Sequence, residues 1–136
     1  MSLAGWIRLS PTAAEVSRFN DWFDRRCAAS DIEKSLAADM KLCINEVLAN
    51  FISYGFKNTA NPSIVVNVWL HPGRAVARIF DNGTYFDFRK WERPADRDLP
   101  TAEPGGYGIA LIKGRASQIF YGRFCGVNRL KIICEA

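Results

Sequence analysis

Ile64-Val65-Val66-Asn67-Val68-Trp69-Leu70, then His71-Pro72-Gly73-Arg74, then Ala75-Val76-Ala77-Arg78-Ile79-Phe80 is the stretch that decides the fold class. Both flanking runs are rich in β-branched and aromatic residues. The segment between them carries proline and glycine, so the whole reads as a β-hairpin. Upstream, the apolar spacing becomes helical. Val16, Phe19, Trp22 and Phe23 mark a first helix from about Thr12 to Ala28, with Ser10-Pro11 placed as an N-cap and a proline at the first helical position. Ser30-Asp31-Ile32-Glu33 has the form of a capping box and opens a second helix running to about Tyr54, where Gly55 is a natural stop. Leu36, Met40, Ile44, Val47 and Phe51 define its buried stripe. Before all of these, Trp6-Ile7-Arg8-Leu9 reads as a short strand.

Downstream of the hairpin, residues 82–104 form an irregular stretch rich in Pro, Asp and Arg. A loop of that length within a compact domain usually has a function, often as a lid. Gly105-Gly106-Tyr107-Gly108 then leads into Ile109-Ala110-Leu111-Ile112, which reads as a short helix. Two closing strands are expected over Ser117–Arg123 and Asn128–Ile133, turned by Cys125-Gly126-Val127. Helices in the first third and mostly strands afterwards predict an α+β two-layer sandwich, with helices on one face of a mostly antiparallel mixed sheet. The order is not a βαβ alternation, and G-x-x-x-x-G-K-[ST] is absent, which argues against Rossmann and P-loop folds.

Composition narrows the function classes. A chain of 136 residues suits one domain with one core. No apolar run reaches the roughly 18–20 residues needed to span a bilayer, and the N-terminus lacks a secretory pattern, so a cytoplasmic protein without membrane contact is expected. Cys27, Cys43, Cys125 and Cys134 are scattered without a C-x-x-C pair; with a single histidine they favour reduced thiols over a zinc site. The net charge of +4 is spread among acidic and apolar residues rather than gathered in a block. That pattern suits a small polyanionic ligand such as a nucleotide and argues against direct nucleic-acid binding.

Three segments break the rules of purely structural elements. Glu46 and Asn50 lie four apart on the second helix, hence on one side of it, beside the apolar positions Val47 and Phe51. Half-buried polar groups need partners, and an amide oxygen is a suitable hard ligand for Mg²⁺. Asp81-Asn82-Gly83 follows an apolar strand; a carboxylate there can accept from the exocyclic amine that adenine has and guanine lacks, and Gly83 would allow close backbone approach. Gly105-Gly106-Tyr107-Gly108 opens a helix, whose N-terminal amides favour phosphate. Each segment alone has a bland explanation: a solvated helix flank, a turn, a flexible hinge.

Taken in order, Glu-x-x-x-Asn on a helix, Asp-x-Gly after a strand, a variable lid and Gly-Gly-x-Gly opening a helix resemble the N-box and two glycine boxes of the GHKL (Bergerat-fold) ATPase superfamily. Asp81-x-Gly83-x-x-Phe86-Asp87, the Gly105–Ile112 run and Asn128-Arg129-Leu130 are similar to the anti-sigma regulatory factor branch, the small serine-kinase-like ATPase domains. The resemblance covers about Trp6 to Ile133. It implies that Asn50 ligates Mg²⁺, and that Asp81 accepts from adenine with Gly83 beneath the ring and Phe86 in the same box. It further implies that Gly105, Gly106, Tyr107 and Gly108 meet the phosphates of ATP, and that Glu46 is the general base. The activity so implied is a serine/threonine protein kinase that phosphorylates a STAS-domain antagonist and binds a sigma factor; relatives commonly dimerise. Two alternatives stay open: an ATP-dependent binding switch without phosphotransfer, and a separate ATP-binding domain of a histidine-kinase system. In the second case His71, in a hairpin turn, would be a poor phospho-acceptor.

Overall fold

The computed structural model describes residues 3–57, 59–84 and 114–136. Five strands form one sheet: β1 (Leu3–Leu9), β2 (Ile64–His71), β3 (Arg74–Asp81), β4 (Gln118–Phe124) and β5 (Val127–Glu135), in the order β1-β2-β3-β5-β4. Each of the four pairings is antiparallel, so the mixed sheet expected from the sequence is antiparallel throughout its described part. Helices α1 (Ala13–Ala28) and α2 (Lys34–Asn50) pack on one face, giving the expected α+β sandwich.

The inward phase of each strand follows the period of two. Ile64, Val66, Val68 and Leu70 of β2, Ala75, Ala77 and Ile79 of β3, and Leu130, Ile132 and Cys134 of β5 join one core cluster. From the helices, Phe19 and Phe23 of α1 and the whole predicted stripe of Leu36, Met40, Ile44, Val47 and Phe51 enter the same cluster. At about 25 cal/mol per Å² of apolar area removed from water, this shared layer is the main source of stability. Among the described residues, no helix is long and apolar enough to cross a membrane.

Two helix starts differ from the expectation. The N-cap of α1 is Thr12, not Ser10: its Oγ1 accepts from Glu15 N at 3.3 Å, and Pro11 stands before the helix rather than in its first turn. Thr12-Ala13-Ala14-Glu15 is itself the capping pattern, and Glu15 reaches back to Ser10 N because Thr12 N is already bonded to Ser10 O. The Ser30–Glu33 capping box does not form. Ser30 Oγ donates to Cys27 O and accepts from Ile32 N, which finishes α1 instead of starting α2. Glu33 occupies the cap position of α2 without a side-chain capping bond; its carboxylate accepts from Gly73 N at 3.0 Å, tying the helix start to the β2–β3 turn.

Both hairpin turns use left-handed backbone where the sequence supplies glycine. Gly73 has φ +84° in the first, and Cys125 and Gly126 have φ +51° and +77° in the second, the signature of a two-residue turn matched to strand twist. The second helix does continue to Gly55, but its last turn, Phe51–Gly55, is π-helical. Such wide turns are uncommon and occur frequently at functional sites.

Candidate functional site

Helix α2 and strand β3 meet at both ends. Glu33 holds the start of α2 to the hairpin, and Gly55, closing the π-helical turn, accepts from Thr84 N at 2.7 Å just beyond β3. Gly83 packs against the same carbonyl. A Cβ placed on Gly83 would lie 2.1 Å from Gly55 O, a backbone atom that cannot swing aside. The glycine requirement at position 83 therefore arises from helix-to-strand packing, before any ring is considered. This contact brings the segment bearing Glu46 and Asn50 to the segment bearing Asp81.

Asp81 ends β3 on the inward side and is 5% exposed. Its Oδ1 accepts from Gly83 N at 2.9 Å and from Asn128 Nδ2 at 3.0 Å. Burial pushes its pKa up; the bonds from Asn128 and Gly83 and the charge of Arg123 pull the other way without cancelling the effect. Two donors on one oxygen leave Oδ2 as the end of the carboxylate that can meet a ligand.

Asn50 is buried on α2, and its Nδ2 donates to Glu46 O at 2.8 Å. With the amide nitrogen committed to the helix backbone, the carbonyl oxygen is the end available to a cation, which suits a hard metal. Glu46, one turn earlier and half-buried, has its pKa raised by burial. A carboxylate so placed is a better proton acceptor than an ordinary glutamate.

Asn128 was missed as a site residue, although it supplies the densest set of polar contacts here. Besides Asp81, its Nδ2 reaches Thr84 O at 3.0 Å and Gly83 O at 3.3 Å. Its Oδ1 accepts from Arg123 Nη1 at 2.8 Å and from Tyr121 Oη at 2.5 Å, and Arg123 Nη1 also donates to Gly83 O at 3.0 Å. A signal did exist in the sequence. Asn128 shares its strand phase with Leu130, Ile132 and Cys134, so it is a polar residue on an apolar face. Phe86, Gly105, Gly106, Tyr107 and Gly108, with most of the 82–104 segment read as a lid, lie outside the described residues.

This arrangement can hold a flat base by one buried carboxylate and present a hard oxygen and a basic carboxylate from the adjoining helix. Comparison with known proteins identifies the family. Residues 9–132 match the family described as Histidine kinase-like ATPase domain. A curated relative, the serine/threonine-protein kinase BtrW of Bordetella bronchiseptica (strain ATCC BAA-588 / NCTC 13252 / RB50), is 27% identical over 128 residues, spanning 93% of this chain and 89% of that protein. The fold is similar to a crystal structure of the RsbU and RsbW domains of Rv1364c from Mycobacterium tuberculosis, with a TM-score of 0.68 at 17% identity. That match covers 98% of this chain, which spans about a third (32%) of the solved one. With its family pattern running through both helices, strands β2, β3 and β4 and most of β5, the chain belongs to the histidine kinase-like ATPase family.

Proposed function

We propose that the chain is a serine/threonine protein kinase of the anti-sigma-factor type, transferring the γ-phosphoryl group of ATP to a serine of a STAS-domain antagonist and binding a sigma factor. The observation that carries the reading is the meeting of Asp81 with the Glu46–Asn50 helix through the Gly55–Gly83 contact. The serine/threonine-kinase relative, alike over nearly the full length of both proteins, supports the choice of acceptor. Asp81 Oδ2 accepts from the adenine amino group. Asn50 Oδ1 would hold Mg²⁺, which would supply neutralisation of phosphate charge. Gly105, Gly106, Tyr107 and Gly108 receive the phosphates, and Phe86 belongs to the base pocket.

In the transfer, the serine oxygen bonds to the γ-phosphorus as the bond to the β–γ bridging oxygen breaks. ADP departs, and the hydroxyl proton passes to the Glu46 carboxylate. Because such a transition state is loose, alignment and charge neutralisation matter more than base strength. The raised Glu46 pKa lies on the favourable side for accepting that proton.

The test combines ADP calorimetry, with and without magnesium, with radiolabelled ATP transfer to the cognate antagonist. Glu46→Ala should abolish transfer while ADP affinity stays within about threefold, and Asn50→Ala should remove the magnesium dependence of binding. Tight nucleotide binding without transfer by the wild type would reduce the protein to a nucleotide-operated binding switch.

A further inference from the structure

We infer that the sheet face turned away from the helices is a docking surface for single-stranded nucleic acid, separate from the site built around Asp81 and Asn50. The inference goes beyond the proposed kinase and does not depend on it. On this face the strand registers align one side chain from every strand in a single row. Trp6 of β1 pairs with Asn67 of β2, Asn67 with Arg78 of β3, Arg78 with Lys131 of β5, and Lys131 with Phe120 of β4. Two cations therefore stand directly opposite each other in the middle, an arrangement that costs stability and favours an anion between them. Asn67, whose Nδ2 donates to Gly5 O, accepts from Arg78 Nη1 at 3.4 Å and steadies the guanidinium over the sheet. An aromatic ring closes the row at each end, and both are open to solvent, Trp6 at 61% and Phe120 at 47%. Arg8, Arg74 and Arg129 share the outward phase; Glu135, opposite Arg74 at the hairpin end, is the one carboxylate among the described strand residues that does.

The chemistry of the row selects its occupant. Two adjoining grooves of about 350 and 460 Å³ run over it, with Arg78 and Lys131 lining both and no carboxylate lining either. At about 4.8 Å between strands the row is about 19 Å long, which suits a chain of linked groups. Arg78 and Lys131 meet phosphates in the middle, and bases stack on the end rings. Neighbours hold those rings: Trp6 lies 6.2 Å and 22° from Phe80, and Lys131 Nζ lies 5.6 Å from the Phe120 centroid. An acidic polypeptide would meet the cations but give the rings no flat partner. It would also gain no main-chain bonds, because β2, β3 and β5 are paired on both sides. A second copy docking by this face would bring the same cations against themselves. Dispersed along the chain, these charges argued against nucleic acid; the register gathers them on one surface.

The test is fluorescence anisotropy of a labelled oligothymidylate about twelve nucleotides long, titrated with the full chain between about 50 and 200 mM salt. Contact of Arg78, Arg129 and Lys131 with phosphates gives a slope of about −2 for log affinity against log salt. Lys131→Glu turns the like-charge pair into an attracting one. It should hold the urea midpoint at or above that of the wild type while weakening the oligonucleotide at least about tenfold. Trp6→Ala and Phe120→Ala should each weaken it about 5- to 100-fold, the range for a lost stacking platform. Saturating ADP should leave the oligonucleotide bound, since Asp81 lies on the opposite phase of β3. ADP affinity of the variants should stay within about twofold, so failure here leaves the kinase reading intact. No binding at the lowest salt, displacement by ADP, or unchanged affinity in all three variants overturns the assignment. Poly-L-glutamate binding as tightly as the oligonucleotide overturns it in favour of an acidic protein, and a sedimenting dimer that Phe120→Ala dissociates overturns it in favour of a second copy.

Discussion

At the hairpin end of the inner sheet face, Leu70, Ala75 and Cys134 share the core with Leu36, Met40 and Cys43 of α2, all apolar and nearly inaccessible. At the opposite end of the same strands, Asp81 and Asn128 occupy the equivalent inward positions, near the end of α2 that carries Asn50. Burial is as deep at both ends, yet its energetic sign differs. Removing methyl and methylene groups from water stabilises the first end. At the second, desolvation of a carboxylate and two amides costs free energy that hydrogen bonds only partly offset. A protein shaped for stability alone would continue the apolar pattern to the strand ends. Under the proposed function, the interruption is the end retained for the nucleotide.

The sharpest way to break this comparison is to damage the apolar end and look for an effect on binding. Met40 is fully buried, and Met40→Ala should cost about 2–5 kcal/mol of unfolding free energy, read as a lower urea midpoint. ADP affinity of the folded fraction should remain within about twofold. A binding loss that matched the stability loss would show that the two ends act as one unit.

Gly83→Ala probes the joint between the regions. Its methyl group would overlap Gly55 O, so either the π-helical turn or the end of β3 must move. We expect a stability loss of about 1–3 kcal/mol, smaller than for Met40→Ala, with a loss of ADP binding that survives in the folded protein. Normal ADP affinity in folded Gly83→Ala would separate the two segments and undo the proposed convergence.

The difference between the ends also explains how much could be read from the sequence. The hairpin, the α2 stripe and the strands around Cys125-Gly126 depend on short-range periodicity and turn residues, which the chain displays openly. Asp81, Gly83, Glu46 and Asn50 stood out because each departs from its local pattern. What stayed hidden was the pairing between distant departures: Asn128 lies 47 residues from Asp81, and only the β3–β5 register sets the two side by side. Gly55 was legible as a helix stop but not as the acceptor for Thr84 N, since that role depends on where β3 ends. The helix starts were misplaced for a related reason. Ser30 had a closer partner in Cys27 O than in the following helix, and Glu33 found Gly73 across the sheet. Local capping patterns record what a side chain could bond, whereas tertiary neighbours decide which bond forms.

Asp81→Asn gives the smallest expected change in fold stability and separates the regions most cleanly. An asparagine retains an oxygen for Gly83 N and Asn128 Nδ2, so the local bonds persist. At the ligand end, Oδ2 is replaced by a donor that cannot receive the adenine amino group. ADP affinity should drop about 10- to 100-fold, the usual value of a hydrogen bond to a charged group. Stability should move the other way. The folded-state pKa of Asp81 is raised above 3.8, chiefly by burial, so the native state holds its proton more tightly than the unfolded chain does. The favourable contribution is fully present below 3.8 and is lost as pH rises through the folded pKa; above that point the ionised group burdens the native state. Wild-type stability relative to Asp81→Asn should therefore decline with rising pH across that window and then level off, measured as the difference between their urea midpoints. A difference that grew in favour of the wild type toward neutral pH would mean that the charged carboxylate stabilises the fold, and the polar end could no longer be explained by what it binds.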